Sequence, residues 1–576
     1  MKNFLVGLVV GIVFCGLTLL ILVFAIVKMA GSFAEKPVTV ADGSTLVFKL
    51  EGDLPEMAPP EIPLPMFEAQ TPLAVHEAWD IFRKAAADPK IKAILLEPRG
   101  VRIGWAKMQE IHAEILQFKK SGKPVIAYLR EPGGREYYLA TAADRVIMDP
   151  EDSLDLKGLR VEAVFIKNTF DKLGIKADVV HAGKYKDAGD LFTRTSMSPE
   201  TSEVLNQILD QFYGNLVETI GQGRKKSADE VRAIIDRGPF MGPEAMASGL
   251  VDALGYEEQA MEEMRTRLKQ TELKKIAAKA YLKVPPPSGG VTRRIALVVG
   301  QGEITRGTGN RNSDEENFTS AGMVRLLKQV EDDVSIKGVI LRVDSPGGDG
   351  VASDDILHEA KNLSKKKPLV ISMSDLAASG GYFVAVTGDP IIAYPNTLTG
   401  SIGVIYARMS LHGLYDKIGV NKQLLSRGRY ANLDSDYNTL TDEERVKISG
   451  QVDGFYKTFI ARVADGRKKT FDQIEPLAQG RVWLGAQAKQ NGLVDELGGL
   501  DRAVELVRKK ASIAASDKIA LVPYPGKRSV FEMLFNRADE SAAVETKIRE
   551  LVGPLPLGAM SRGGFLKVMP YSIQVR

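Results

Sequence analysis

The stretch GVILRVDSPGG, residues 338–348, contains the pattern that decides the fold class. Its first six residues form a mostly apolar run, which is typical of a buried strand. The DSPGG segment that follows, residues 344–348, combines proline with glycine and indicates a turn. From residue 351 to residue 363, apolar side chains then recur at helical spacing. Strand, turn and helix in this order predict one unit of an α/β domain.

The next part of the chain has the same order of elements. Residues 369–373 have the pattern of a strand, residues 375–378 that of a turn, and residues 380–386 that of a helix start. Consecutive units of this kind predict largely parallel strands, with functional sites beyond their carboxyl ends. We therefore expect both turns at one edge of the sheet, where unpaired N–H groups at helix starts attract negative charge.

Three sequence matches show that the chain contains an internal duplication. The matched pairs are residues 91–96 with 336–341, 170–175 with 415–420, and 249–252 with 492–495. The offsets are 245, 245 and 243 residues, and the matches occur in the same order in both copies. A period this long indicates duplicated domains rather than a solenoid.

The duplication, an apolar N-terminus and a proline-rich and glycine-rich junction together predict five parts of the chain. These are a transmembrane anchor (1–30), a first α/β repeat (44–284), a linker (285–293), a second α/β repeat (294–525) and a C-terminal tail (526–576). For the tail, which is basic and has an amphipathic stretch near residues 531–535, we expect a surface helix or a contact between subunits rather than a second anchor.

The N-terminal apolar run, residues 4–27, is long enough as a helix to cross a hydrocarbon core of ~30 Å and contains no charged residue. The small residues at 32–34 leave open a cleaved signal peptide, but the apolar core of such a peptide is only ~7–15 residues long. An uncleaved anchor is therefore predicted. Lys2 and Lys28 flank the run on opposite sides, so the charge balance does not decide its orientation.

The charge balance and the cysteine content exclude several classes of function. The net charge is +3, with 76 basic and 73 acidic residues, which gives no field suited to nucleic acid. The only cysteine, Cys15, lies in the apolar run, so no intramolecular disulfide and no cysteine-based metal site can form. No metal-ligand spacing occurs elsewhere in the sequence.

Ser379, in the turn AASGG, is a candidate nucleophile. It directly precedes a predicted helix, and the N–H group of Gly380 can point to the place where an attacked carbonyl becomes an oxyanion. A second donor is available if Gly347 or Gly348 lies alongside, because glycine lets a backbone N–H approach a substrate closely. The alternative is that both glycine-containing segments are only tight turns.

A comparison of the two repeats suggests which group accepts the proton of this serine. The chain has five histidines, and we expect His181 and His358 to be packed or solvated residues. Alignment of Tyr138 with Tyr382, at offset 244, places Arg135 where Ser379 stands in the second repeat.

At offset 245, Lys186 of the first repeat corresponds to Ala431 of the second. One repeat therefore has the serine without the lysine, and the other has the lysine without the serine. This complementarity favours a serine–lysine dyad assembled across the repeats, in which burial or positive neighbours would lower the lysine pKa from ~10.4.

These motifs, in combination, resemble the long, tandem-repeat form of the signal peptide peptidase A family, also called protease IV. The resemblance rests on AASGGYF around Ser379, the DSPGG turn, TLTGSIG at 397–403, the pair Tyr185-Lys186 and the duplicated layout. It implies a Clp-protease/crotonase-type fold in each half, following one N-terminal transmembrane helix.

The resemblance also implies roles for individual residues. Ser379 would be the nucleophile, Lys186 the general base, and Ser401 a hydrogen-bond partner of that lysine, while Gly348 and Gly380 would supply the oxyanion-binding N–H groups. It further implies no cofactor, a homotetramer on the outer, periplasmic side of a bacterial inner membrane, and degradation of cleaved signal peptides as substrates.

Two other functions stay open at the level of sequence. An acyl-CoA hydratase or isomerase of the crotonase type would use the same glycine-built oxyanion site but would not require Ser379 and Lys186. A catalytically inactive membrane scaffold would use the repeats only for assembly.

Overall fold

The computed structural model of the protein describes residues 38–57, 71–285, 291–307, 318–526 and, for the backbone, 564–568. The predicted anchor, residues 1–30, lies outside these ranges, as does the amphipathic stretch near residues 531–535. Among the helices of the described ranges, none has both the length and the apolar character needed to cross a bilayer.

The first half of the chain alternates strands and helices. Its strands are β1 (Ser44–Gly52), β2 (Ile91–Val101), β3 (Val125–Leu129), β4 (Arg145–Met148), β5 (Ser153–Leu154), β6 (Lys176–Ala182), β7 (Phe240–Met241), β8 (Ala253–Leu254) and β9 (Lys275–Ala277). Its helices are α1 (Val75–Ala87), α2 (Trp105–Lys119), α3 (Gly134–Ala140), α4 (Lys167–Leu173), α5 (Asp190–Thr193), α6 (Pro199–Arg224), α7 (Ala228–Ile235), α8 (Gly242–Ala247), α9 (Glu257–Arg267) and α10 (Ala278–Leu282).

The second half continues in the same manner. Its strands are β10 (Thr292–Gln301), β11 (Ile336–Ser345), β12 (Gly347–Asp349), β13 (Leu369–Ala378), β14 (Ile391–Ala393), β15 (Leu398–Gly400), β16 (Val404–Ser410), β17 (Val482–Leu484), β18 (Glu496–Leu497), β19 (Lys518–Tyr524) and β20 (Gly564–Val568). Its α-helices are α11 (Ser320–Asp332), α12 (Gly350–Lys366), α13 (Gly380–Ala385), α14 (His412–Ile418), α15 (Asp442–Arg467), α16 (Phe471–Ile474), α17 (Gly485–Asn491) and α18 (Leu500–Lys510).

Two sheets with the same strand order form the centre of the molecule. The first sheet has the order β8-β4-β3-β2-β1-β9, and all its neighbouring strands are parallel. In the second sheet the equivalent strands β18, β14, β13, β11, β10 and β19 neighbour one another in the same order. Strands β15 and β17 extend this second sheet. The chain therefore consists of two tandem α/β repeats.

Residues 338–386 form the strands and helices that the sequence predicts, with two differences. Strand β11 includes residues 338–345, but Gly347 to Asp349 form the short strand β12 instead of a plain turn. Residues 375–378, predicted as a turn, belong to the end of strand β13. The backbone changes register between Val343 and Ser345, which lets both segments continue as strands beside each other.

Two tyrosines fix the true alignment of the repeats. The hydroxyl of Tyr137 donates a hydrogen bond to the carbonyl of Leu250, and the hydroxyl of Tyr382 donates one to that of Leu493. Tyr137 is thus the equivalent of Tyr382, so the predicted alignment through Tyr138 was wrong by one residue. Gly134, and not Arg135, occupies the place of Ser379.

A smaller sheet joins the two halves, with the strand order β12-β20-β16-β6. Strand β6 of the first half pairs antiparallel with β16 of the second along seven residues. Strand β20 comes from the C-terminal tail and lies between β12 and β16. The described part of the tail is therefore a strand within the molecule, whereas the sequence led us to expect a surface helix or a subunit contact.

The two repeats also share an apolar core. One hydrophobic cluster contains Leu46 and Phe82 from the first half together with Ile295 and Leu500 from the second. This burial removes apolar surface from water and stabilises the contact between the repeats.

Candidate active site

Ser379 is fully buried on a strained turn between strand β13 and helix α13. Its backbone has φ 55° and ψ −115°, a conformation that residues with a side chain rarely adopt. The N–H of Ser379 donates to the carbonyl of Gly400 at 2.8 Å, and its carbonyl accepts from the N–H of Phe383 at 2.8 Å. These bonds and the small neighbours hold the serine in this conformation.

The two glycine segments predicted to supply oxyanion donors lie against each other. A Cβ atom on Gly380 would lie 3.1 Å from both the Cα of Gly347 and the nitrogen of Gly348. A Cβ on Gly348 would lie only 2.0 Å from the carbonyl oxygen of Ile304. Only glycine fits these positions without displacing backbone, and the nitrogen of Gly348 lies close to Gly380, the residue that follows Ser379.

Strand pairing places Ser401 beside Ser379. In the parallel pair of β13 and β15, Ala378 is the partner of Gly400, so the residues that follow them are neighbours. Ser401 also has a positive φ, 50°, and its N–H donates to the carbonyl of Arg481 at 2.7 Å. Both serines therefore leave their strands in fixed conformations at the same edge of the sheet.

Lys186 reaches these serines from the first repeat. In the antiparallel pair of β6 and β16, Ala182 is the partner of Val404, so the chain after β6 runs beside the chain before β16. The fully buried Nζ of Lys186 lies 2.9 Å from Ser379 Oγ, 2.9 Å from Ser401 Oγ and 3.0 Å from the carbonyl oxygen of Ser401. The structure brings all five predicted site residues together.

The carboxylate next to the lysine in sequence is bound elsewhere. Asp187 accepts hydrogen bonds from the hydroxyls of Ser198, at 3.1 Å, and of Thr201. Burial raises the pKa of Asp187 and outweighs the effect of these hydroxyls, which lower it. Both hydroxyls belong to the start of helix α6, where Ser198 is the N-cap residue.

Two glycines that sequence reasoning missed surround the lysine side chain. A Cβ on Gly480 would lie 2.7 Å from the backbone nitrogen of Lys186, and a Cβ on Gly403 would lie 3.0 Å from its Cδ. The N–H of Tyr185 donates to the carbonyl of Gln479 at 2.7 Å, which fixes the lysine segment on this turn of the second repeat. The motif G-S-I-G ends at Gly403, but nothing near Gly480 in sequence indicated its role.

The equivalent place in the first repeat is filled by a carboxylate. Glu136 accepts hydrogen bonds from the N–H of Val101 at 2.5 Å and from the N–H of Gly133 at 2.9 Å. It thereby joins the two turns that correspond to the glycine segments of the second repeat. With Gly134 in the place of Ser379, this half has no serine at the corresponding position, and Glu136 bridges the two turns there.

The histidines that were considered as bases have other surroundings. His181 is exposed and its Nδ1 lies 3.1 Å from the carbonyl of Gly183, while the exposed His358 contacts Asn362 at 3.2 Å. Ser379 Oγ forms its hydrogen bond with Lys186 and not with either of these histidines. Within the ranges that the structure describes, no three His, Cys, Asp or Glu side chains are grouped to hold a metal ion.

A serine on a strained strand-to-helix turn beside glycine-built turns, within hydrogen-bond distance of a buried lysine, is typical of a serine hydrolase. The sequence profile of Peptidase family S49 matches the chain twice, over residues 117–272 and 361–514. The chain belongs to peptidase family S49, and it is a serine peptidase. This assignment argues against the two functions that the sequence left open, an acyl-CoA hydratase or isomerase and an inactive scaffold.

Relatives that align with most of this chain agree with this assignment. Serine protease SPPA, chloroplastic, of Arabidopsis thaliana is 35% identical, with 86% of this chain and 73% of the relative aligned. Protease 4 of Haemophilus influenzae is 31% identical, with 89% and 87% aligned. Protease 4 of Salmonella typhi is 33% identical, with 80% and 76% aligned. The resemblance inferred from the motifs is confirmed.

Among solved structures, a ClpP1 mutant from Listeria monocytogenes is 14% identical and aligns with 36% of this chain and 94% of its own, with a TM-score of 0.23. A score this low does not establish a common fold. The Clp-protease/crotonase type of each half therefore stays a prediction, while two tandem S49 domains of mixed α/β structure are confirmed.

Proposed function

We propose that this chain is a membrane-anchored serine endopeptidase in which Ser379 is the nucleophile and Lys186 is the general base. The observation that carries the proposal is the 2.9 Å separation of Lys186 Nζ and Ser379 Oγ, on residues that are 193 positions apart. The first repeat (44–284) would supply the base, and the second (294–525) would supply the nucleophile and the oxyanion donors.

The reaction is an acyl transfer to the serine followed by hydrolysis. Neutral Lys186 accepts the hydroxyl proton as Ser379 Oγ attacks the carbonyl carbon of a peptide bond. The N–H groups of Gly348 and Gly380 stabilise the oxyanion. Lys186 then donates the proton to the leaving amine, and an ester on Ser379 remains. A water molecule, deprotonated by the same lysine, hydrolyses the ester and restores the serine.

The surroundings of Lys186 suit this role. A lysine acts as a base only in its neutral form, and burial away from water favours that form of an amine. The hydroxyl and the carbonyl of Ser401, at 2.9 and 3.0 Å from Nζ, restrict the amine to one position. We assign Ser401 the role of orienting the lysine toward Ser379.

Hydrophobic peptides, and remnant signal peptides in particular, are the proposed substrates. A relative from Enterococcus faecium, 34% identical over 36% of this chain, is named as a signal peptide peptidase. An anchor at residues 4–27 in a bacterial inner membrane would raise the local concentration of peptides released there. We place the bulk of the chain on the periplasmic side and propose a homotetramer, as the resemblance to the family implies.

Digestion of casein and of a synthetic signal peptide by matched variants tests the proposed dyad. Ser379→Ala and Lys186→Ala should each lower kcat/KM at least ~1,000-fold, because each removes a group that acts as a unit with the other. Lys184→Ala is the control, since Lys184 is an exposed lysine two residues away and should keep wild-type activity. Full activity in either dyad variant would show that the dyad is wrong.

A further inference from the structure

The C-terminal strand β20 occupies a gap between two strands of the catalytic repeat. On one side, Gly347, Gly348 and Asp349 of β12 pair antiparallel with Val568, Lys567 and Leu566. On the other side, Ile405, Tyr406 and Ala407 of β16 pair antiparallel with Leu566, Phe565 and Gly564. Residues 564–568 therefore form backbone pairs along both edges of the gap.

Each flanking strand also has backbone hydrogen bonds on the side that faces away from β20. Strand β16 pairs with β6 along its whole length. Strand β12 is held by Ile304, whose N–H donates to the carbonyl of Gly347 and whose carbonyl accepts from the N–H of Asp349, each at 2.8 Å. Because neighbouring strands lie about 4.8 Å apart, removal of β20 would leave a gap of about 9.5 Å, the width of one extended peptide.

This gap lies directly at the candidate active site. Strand β12 contains Gly348, the proposed oxyanion donor, and β16 begins three residues after Ser401, which contacts the Nζ of Lys186. Strand β20 also lies against helix α13, whose N-cap residue is Ser379. An extended chain in this gap therefore passes beside both the serine and the oxyanion donors.

We infer that β20 is a built-in competitive inhibitor, which occupies the position of an extended peptide substrate and must leave before hydrolysis. Addition of a strand to exposed sheet edges is a common mode of peptide recognition. The inference rests on the proposed function, since it assigns the substrate to the same gap. The sequence of the strand, Gly-Phe-Leu-Lys-Val, is mostly apolar like the proposed substrates.

The covalent link to the second repeat makes such an inhibitor effective. The described second repeat ends at residue 526 and the strand begins at residue 564 of the same chain. Because β20 belongs to the same chain as the site, its binding is intramolecular, so even a weakly binding segment fills its site until a free substrate competes.

Substitution of Leu566, the residue paired on both sides, tests the inference in the full-length chain. Leu566→Pro removes the backbone N–H and fixes φ, so it should release the strand. Leu566→Ala keeps the backbone groups and is the matched control. With a short fluorogenic peptide, Leu566→Pro should lower KM at least five-fold with kcat within two-fold of wild type, and Leu566→Ala should match wild type.

A disulfide lock gives a second test that does not depend on the proline variant. In a Cys15→Ser background, Ala407→Cys and Gly564→Cys place two thiols on directly paired residues. Oxidation should lower kcat/KM at least ten-fold, and reduction should restore it.

Unchanged KM or reduced kcat in Leu566→Pro, or full activity of the oxidised pair, would overturn the inference and make β20 an ordinary structural strand. Failure of the dyad is distinguishable from this, because it shows as activity in Ser379→Ala.

Discussion

At the scale of single residues, the candidate site depends on two serines with unusual backbone conformations. Ser379 and Ser401 have φ values of 55° and 50°. Such conformations cost about 1–3 kcal/mol each, and they persist only where the surroundings fix them. Here the N–H of Ser379 is bound by Gly400 and the N–H of Ser401 by Arg481. These bonds thus fix the two serines whose hydroxyls both lie 2.9 Å from the Nζ of Lys186.

Loss of the Ser401 hydroxyl should impair the lysine without removing it. Ser401→Ala leaves the carbonyl of residue 401 as the remaining acceptor near Nζ, so the amine is less restricted. We expect kcat to fall about 10- to 100-fold, part of the ~100- to 10,000-fold that general acid–base catalysis contributes, with KM within two-fold. Steady-state kinetics on a peptide substrate measure this.

Ser410→Ala is the control for this variant, because Ser410 is a buried serine of β16 whose hydroxyl contacts the carbonyl of Tyr437 and not Lys186. Equal kcat for Ser401→Ala and Ser410→Ala would argue against an orienting role for Ser401.

The positions of these residues could be predicted from sequence where local chemistry marks them. AASGG and DSPGG are short, glycine-rich and follow apolar strands, so the sequence singles out Ser379, Gly348 and Gly380 as candidates. The register of the first repeat was missed by one residue, because adjacent tyrosines, Tyr137 and Tyr138, are equal candidates until the hydrogen bond to Leu250 distinguishes them.

At the scale of elements, the pairing of β6 with β16 places Lys186, which follows β6, beside the segment that precedes β16. Gly480 lies on the turn that contacts this lysine, with φ 75° and no room for a Cβ, because a Cβ there would lie 2.7 Å from the backbone nitrogen of Lys186. Gly419 has the same φ, 75°, and nothing within 4 Å of the Cβ position. A comparison of these two glycines therefore distinguishes the effect of positive φ, which both share, from the effect of crowding against Lys186, which only Gly480 has.

Gly480→Ala should therefore impair catalysis, while Gly419→Ala should affect only stability. Both variants place a side chain at positive φ, which costs about 1 kcal/mol or more of folding free energy. Only Gly480→Ala displaces Lys186, and a shift of about 1 Å can cost ~100-fold in rate. Thermal melting and kcat/KM measure the two effects. Wild-type kcat/KM in Gly480→Ala would contradict this role of the turn.

Periodicity predicted strands β11 and β13 of the second central sheet and the alternation of strands and helices in each repeat, but it did not predict the small joining sheet. Strands β6, β12, β16 and β20 come from four distant parts of the chain, and no local pattern specifies which strands pair. The tail strand β20 illustrates this. Its five residues are too few to show a periodic pattern, and only their pairing with β12 and β16 identifies them as a strand.

At the scale of the whole molecule, a buried network of charges joins the repeats. The guanidinium of Arg342 donates to Glu56 at 3.0 Å and to Glu110 at 2.6 Å. Lys107 of helix α2 donates to Asp344, near the end of strand β11, at 2.8 Å. Sequence alone treated Arg342 as part of an apolar strand, since its partners are 232 and 286 residues away.

Removal of Arg342 should destabilise the molecule strongly at neutral pH. Arg342→Met leaves two buried carboxylates without their partner, which costs about 3–5 kcal/mol. Arg502→Met is the control, because Arg502 pairs with Glu496 and Glu505 near the surface and such pairs contribute about 1 kcal/mol or less. Thermal unfolding measures the stability of both variants. Equal melting temperatures would contradict the larger stabilisation that we assign to the buried network.

The same network predicts a pH dependence. Burial alone would raise the pKa of Glu56, but the charges of Arg342 and Lys107 outweigh it and lower the pKa to about 2. A carboxyl with a lowered pKa stabilises the folded chain above pH 4.5 and loses this contribution as the pH falls toward about 2. The stability difference between wild type and Arg342→Met should therefore shrink over that range.

The central claim is that a lysine of one repeat activates a serine of the other, and covalent labelling tests it most directly. Wild type and Lys186→Ala are treated with a fluorophosphonate probe, and the modified residue is located by peptide mass mapping. We expect a single adduct on Ser379, formed at least ~100-fold more slowly in Lys186→Ala because the serine then lacks its base. An adduct on another residue, or equal labelling rates in both proteins, would contradict the claim.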